Sequence, residues 1–153
     1  MPKITPFLWF DNQAEEAMNF YISIFKNGKV LSVHRIDGKV MSVTFELEGQ
    51  KIMGLNAGPQ FNFTEAISLF VDCETQEEVD ELWERLSEGG AKGRCGWLKD
   101  KYGLSWQIIP TTLGKLMNDP DPEKSKAVVQ AMLKMHKIVI EDLKRAYEGK
   151  TAA

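Results

Sequence analysis

The sequence predicts an α+β fold. It reads as two βαβββ modules (a strand, a helix, then three strands) from an internal duplication, followed by a C-terminal helix. Three observations carry this. LWFDNQAEEAMNFY (8–21) and LFVDCETQEEVDELW (69–83) share a hydrophobic run, an aspartate, a pair of glutamates and an aromatic. After the first copy, alternating apolar runs are punctuated by Asp37-Gly38 and Glu48-Gly49, pairs that favour tight hairpins. Late in the chain, Asp121-Pro122 opens a segment whose apolar residues recur at helical spacing.

Taken in order, Ile4 to Phe10 is a short aromatic-rich apolar run bounded by Pro6 and Asp11, as expected of a strand. Asn12 and Glu15 have the spacing of a capping box. Ala14, Ala17, Met18, Tyr21 and Phe25 then form an apolar stripe that Asn27-Gly28 ends. Three strands follow, at 30–36, 40–47 and 51–56. A Gly/Pro/Asn-rich loop (56–62) separates this module, about 3–57, from a second at about 64–110. There a strand is predicted over Glu65–Cys73, and Thr75 and Glu78 form another capping box. A helix carries Val79, Leu82, Trp83 and Leu86, and strands are predicted at 92–98 and 104–109 around a turn at 100–103. Asp11 and Asp72 are 61 residues apart and the glutamate pairs 62, a spacing that fits a duplication rather than a short-period solenoid. The extension, about 111–149, places Val128, Met132, Met135, Val139 and Leu143 on one face of a helix, a stripe suited to core or dimer contact.

Composition narrows the function. The 153 residues are 43% hydrophobic and 27% charged with a net charge of −3, an ordinary globular balance without the basic footprint of a nucleic-acid binder. The N-terminal residues lack the pattern of a secretion signal, and no apolar run reaches the roughly 18 residues of a membrane span. Cys73 and Cys95, the two cysteines, are therefore expected to be reduced thiols in a cytoplasmic protein.

Paired modules of this kind resemble the vicinal oxygen chelate superfamily of glyoxalase I, extradiol dioxygenases and bleomycin-resistance proteins. GWLKDKYGLSWQIIP (96–110) and DPDPEKSKAVVQAMLKMHKI (119–138) look more narrowly like its PhnB-like branch. The resemblance implies a single glyoxalase-like domain over 1–153 with eight strands in a curled mixed sheet, and a homodimer. It also implies a divalent metal held by the first and last strands of each module. Carried over by position, the four ligand places fall on Ile4, Met53, Glu65 and Gln107. An isoleucine has no donor atom and a thioether suits hard cations poorly, so no bound metal and no other cofactor is expected. His34 and His136 read as surface or half-buried residues.

If the implied geometry holds, Glu65 and Gln107 face the concave cavity. Alternation groups Ser105, Gln107 and Ile109 on one face of their strand, and Glu65, Ile67, Leu69 and Val71 on one face of theirs. A carboxylate in such surroundings is expected to have a raised pKa, which makes Glu65 a candidate base or ligand anchor. Cys95 is expected beside Trp97 as a packed or cavity-lining thiol, since no histidine or cation is predicted to activate it. Trp97, Phe63, Phe61 and Tyr102 together could line an apolar ligand pocket, or Phe61 and Phe63 could instead pack the inter-module loop on the core.

The leading expectation is a metal-free small-molecule-binding protein. A second is a lyase- or isomerase-type enzyme acting on a small carbonyl or diol compound, with Glu65 as base and Gln107 orienting the substrate. A third is a drug-sequestering resistance protein that holds a cationic ligand. Methyl transfer finds no support: the first strand leads into Asp11-Asn12-Gln13, with no glycine before Gly28 to admit an adenosyl cofactor.

Overall fold

A computed structural model describes residues 2–149. The chain divides into two compact units between Phe63 and Thr64, and each repeats the strand–helix–three-strand order. The first contains β1 (Phe7–Phe10), α1 (Ala14–Ile24), β2 (Lys29–Ile36), β3 (Lys39–Leu47) and β4 (Gln50–Asn56). Its sheet has the order β1-β4-β3-β2, with β1 parallel to β4 and the other pairs antiparallel. The strand expected from Ile4 is shorter than predicted: Ile4 precedes β1 and is 86% exposed.

Both hairpins turn where the sequence places them. Asp37 and Gly38 have φ of 51° and 76°, and Glu48 and Gly49 have 50° and 81°. Positive φ at both central positions gives the turn a twist that matches right-handed strands. Leu8, Phe10, Val43, Phe45, Leu47 and Ile52 are buried on the sheet side that receives Ala14, Ala17, Met18 and Tyr21 of α1. Asn12 is not the cap of α1. That position belongs to Gln13, whose side chain makes no capping bond. The free Ala14 N–H instead donates to Asn56 Oδ1 at 2.9 Å, while Asn56 Nδ2 donates to the Val40 carbonyl.

The second unit begins with β5 (Ser68–Cys73) and α2 (Gln76–Ser87), then β6 (Ala91–Lys92), β7 (Trp97–Lys99) and β8 (Ser105–Pro110). The order β5-β8-β7-β6 repeats that of the first sheet. The capping box of α2 is present: Glu78 N–H donates to Thr75 Oγ1, and Glu78 Oε1 accepts from the Glu74 N–H. The middle strands are much shorter than in the first unit, and the run predicted over 92–98 splits around a turn at 93–96.

Two devices make up for the short strands. Asp100, 2% exposed, accepts from the backbone N–H groups of Tyr102 and Leu104 on Oδ1 and from the Trp106 indole on Oδ2. A buried carboxylate thereby takes over hydrogen bonding that a longer ladder would supply. The second device is the extension. It forms α3 (Thr111–Met117), α4 (Pro122–Leu133) and α5 (Ile140–Tyr147) rather than one helix. Asp121 caps α4 with Pro122 in its first turn, as expected. Between α4 and α5 the chain runs along the 93–96 turn, where Cys95 N–H donates to the Met135 carbonyl and Gly96 N–H to that of His136, each at 2.8 Å. Gln76 completes the attachment, donating to the Ile138 carbonyl and accepting from Ile140 N–H. Leu113, Val128, Ile138 and Leu143 bury themselves around Ile109 of β8, with Met132 and Met135 half-buried against them. Ile138 takes the core place expected of Val139.

Candidate functional site

Helix α2 covers one side of the second sheet, where Leu98, Trp106 and Ile108 are buried. Strand alternation then fixes the composition of the other side. The register sets Ser68 beside Ser105 and Phe70 beside Gln107, and on the far side of β8 sets Lys99 beside Ser105 and Trp97 beside Gln107. Two cross-strand rows result. One reads Ser68, Ser105, Lys99, and the next reads Phe70, Gln107, Trp97. Beyond them Ile109 lies under the helical extension.

The Gln107 amide stands between two aromatic residues and donates to Ser68 Oγ at 3.0 Å. Phe70 is 58% exposed and Trp97 is half-buried. Ser105 lies at the centre of the other row. It is 1% exposed, and its hydroxyl has no hydrogen-bond partner.

The structure corrects several expected placements. β5 begins at Ser68, so Glu65 lies in the preceding turn and not on a strand. The face shared with Gln107 carries Ser68 and Phe70 instead of Leu69 and Val71. The raised pKa expected for Glu65 is reversed, because its carboxylate is bound by the Lys99 ammonium and held below the usual carboxylate range. Cys95 is not on the strand with Trp97. It occupies the 93–96 turn with φ of 57°, bonded through its backbone to the extension. His136, expected in a helix, lies in the stretch between α4 and α5, with Nδ1 3.0 Å from the Gly93 carbonyl. His34 is on edge strand β2 and exposed, in keeping with a surface residue.

Phe63 belongs to the first unit, where its ring meets Phe10 edge-on at 5.4 Å; Phe61 meets Trp9 in the same way at 4.8 Å. Both rings thus pack the loop onto β1. Of the residues singled out from the sequence, Glu65, Trp97 and Gln107 come together around the two rows, through Lys99 and the strand register. Phe63 and Cys95 do not join them. Ser105 is where alternation put it, on the Gln107 face, while Ser68, Phe70 and Lys99 were missed, although the same alternation would have found them once the pairing register was known.

The four inherited ligand positions do not form a donor set. The β1 neighbour of Met53 is Phe7, and the β5 neighbour of Gln107 is Phe70. Ile4 offers no donor, Glu65 is engaged by Lys99, and the Gln107 amide nitrogen is turned to Ser68. Among the described residues no group of three or more His, Cys, Asp or Glu is placed to hold a metal ion. These residues do not fit the superfamily's metal.

The repeated topology and the open sheet face define a glyoxalase-fold protein, and comparison with known proteins narrows the class. The family model described as 3-demethylubiquinone-9 3-methyltransferase matches residues 2–109. The chain belongs to that PhnB-like family. A Bacillus cereus structure named as a candidate 3-demethylubiquinone-9 3-methyltransferase, PhnB protein, is 41% identical. That match covers 71% of this chain and 99% of the other, with a TM-score of 0.68. A Pseudomonas aeruginosa protein is 18% identical over 72% of this chain and 98% of its own, with a TM-score of 0.62. The fosfomycin resistance protein FosX of Listeria monocytogenes, in a structure with Mn(II) and sulfate, is 17% identical over 69% of this chain and 88% of its own, with a TM-score of 0.51. The last two show the fold alone. No curated protein matches the chain.

Proposed function

We propose that this chain binds a small organic molecule on the open face of its second sheet, without a metal ion. The observation that supports this most is the row Phe70–Gln107–Trp97, in which an amide is flanked by two accessible aromatic side chains. An exposed phenylalanine on a strand loses apolar burial that a ligand can restore, while an amide sets the ligand's orientation through hydrogen bonds. Glu65 does not support the alternative of general-base catalysis, because a carboxylate stabilised in its ionised form by Lys99 is a weaker base. The methyl-transfer description attached to the family finds no counterpart in the β1–α1 connection, which contains no glycine.

A fragment library screened by thermal shift tests the reading. A fragment that raises the Tm of the parent protein should lose that effect in Phe70→Ala and in Gln107→Ala, both with near-parental Tm when unliganded. Undiminished stabilisation in both variants would place the ligand elsewhere and refute the proposal.

A further inference from the structure

Ser105 presents an unsolved hydrogen-bonding problem. Its hydroxyl is buried and unpartnered, a condition folded proteins rarely leave standing. Its neighbours explain what is missing. On one side of it lies Lys99, whose ammonium only donates. On the other lies Ser68, whose oxygen already accepts from Gln107 and whose hydroxyl hydrogen remains to be given. Three donors converge on one row, and beyond the two hydroxyl oxygens themselves the row offers them no acceptor.

One acceptor does reach it. The Glu65 carboxylate, on the turn before β5, binds Lys99 on β7, and this ion pair bridges the two strands that flank β8 at Ser105. Glu65 nevertheless leaves the Ser105 hydroxyl unanswered, and its side chain is 61% exposed, so little packing holds it in place. We propose that the row is a receptor for the carboxylate of a small aromatic or apolar acid, and that Glu65 is an internal stand-in which the ligand displaces. This rests on the reading of the same face as a ligand surface. One ligand oxygen would take the Lys99 ammonium and the other the serine hydroxyls, in charge-assisted bonds shorter and stronger than neutral ones. The ligand's body would then lie over the adjacent row, against Phe70 and Trp97. Glu65, released to solvent, loses an ion pair that was already screened by water.

Benzoate, benzyl alcohol and benzylamine are the probes, titrated into the full chain at constant ionic strength and followed by backbone and side-chain amide NMR shifts. Benzoate should perturb Phe70, Ser105 and the Gln107 amide, and bind roughly tenfold more tightly than benzyl alcohol. Glu65→Gln should tighten benzoate roughly three- to tenfold by removing the internal competitor, with no gain for the alcohol. Ser105→Ala should lose most of the benzoate preference while retaining the parental amide spectrum elsewhere. If the three probes perturb this face with equal affinity, or Glu65→Gln weakens benzoate, the carboxylate assignment is wrong and the ligand face stands. If no probe at millimolar concentration perturbs these residues, both readings fall.

Discussion

The two units reach one topology by different means. In the first, β2 and β3 run for eight and nine residues and are joined by tight turns with positive φ, so the backbone ladder does most of the fastening. In the second, the corresponding strands have two and three residues. Order there comes from one buried carboxylate and from a segment forty residues downstream. The comparison teaches that a sheet's connectivity does not reveal what holds it: one unit depends on many weak repeated bonds, the other on a few irreplaceable ones.

That difference predicts unequal sensitivity to single substitutions. The largest effect is expected at Asp100. Asp100→Ala strands two backbone donors and the Trp106 indole in a buried turn, at about 3–5 kcal/mol, or a fall in Tm of roughly 10–15 °C. Calorimetry should show it, and a fall below about 1 kcal/mol would mean that the ladder alone suffices in the second unit.

Next comes a pair of glycines. An added Cβ at Gly96, where φ is +82°, would stand 2.7 Å from Ile109 Cδ1 and 2.9 Å from the Ile108 carbonyl oxygen. At Gly49, with φ of +81°, it would meet nothing within 4 Å. Gly96→Ala should therefore lose about 2–4 kcal/mol and Gly49→Ala only about 1, the backbone share of the same change. Equal losses in urea unfolding would show that the close approach of β8 to the 93–96 turn yields to an added methyl at no cost.

The smallest contrast lies at the helix starts. Thr75→Ala removes a capping oxygen from α2 and should cost about 1 kcal/mol, whereas Gln13→Ala, at a cap that makes no side-chain bond, should change stability by less than about 0.5. Denaturant midpoints of the two variants decide it, and similar values would remove the distinction.

The same contrast explains what could be read from the sequence. The first unit was legible because its order is local: Asp37-Gly38 and Glu48-Gly49 mark the turns, and alternation between them marks the strands. The capping box at Thr75 and Glu78 was legible for the same reason. The second unit's middle strands were misjudged because the partners of Cys95 and Gly96 are Met135 and His136, a pairing that no local pattern encodes. The helical stripe ran on through 134–139, and tertiary hydrogen bonds with the burial of Ile138 divert that stretch from helix into turn and irregular chain.

The site was half legible. Gln107 and Trp97 follow from alternation once β8 and β7 are recognised. Extending that alternation back to Glu65 failed, because the rule has no force in the turn before β5, and it assigned the wrong half of β5 to the Gln107 face. The direction of the Glu65 pKa shift was hidden for a related reason: Lys99 is distant in sequence and arrives only through strand pairing.

The extension is held by side chains around Ile109 and Gln76, and at one place by main-chain atoms of its host. At the 93–96 turn the amides of residues 95 and 96 and the carbonyl of residue 93 receive it, and a Cβ added at Gly96 would crowd both β8 and Ile138 of the extension. The backbone part of that seat asks little of the side chains around it, and the demands on the host's sequence gather at Ile109, Gln76 and Gly96.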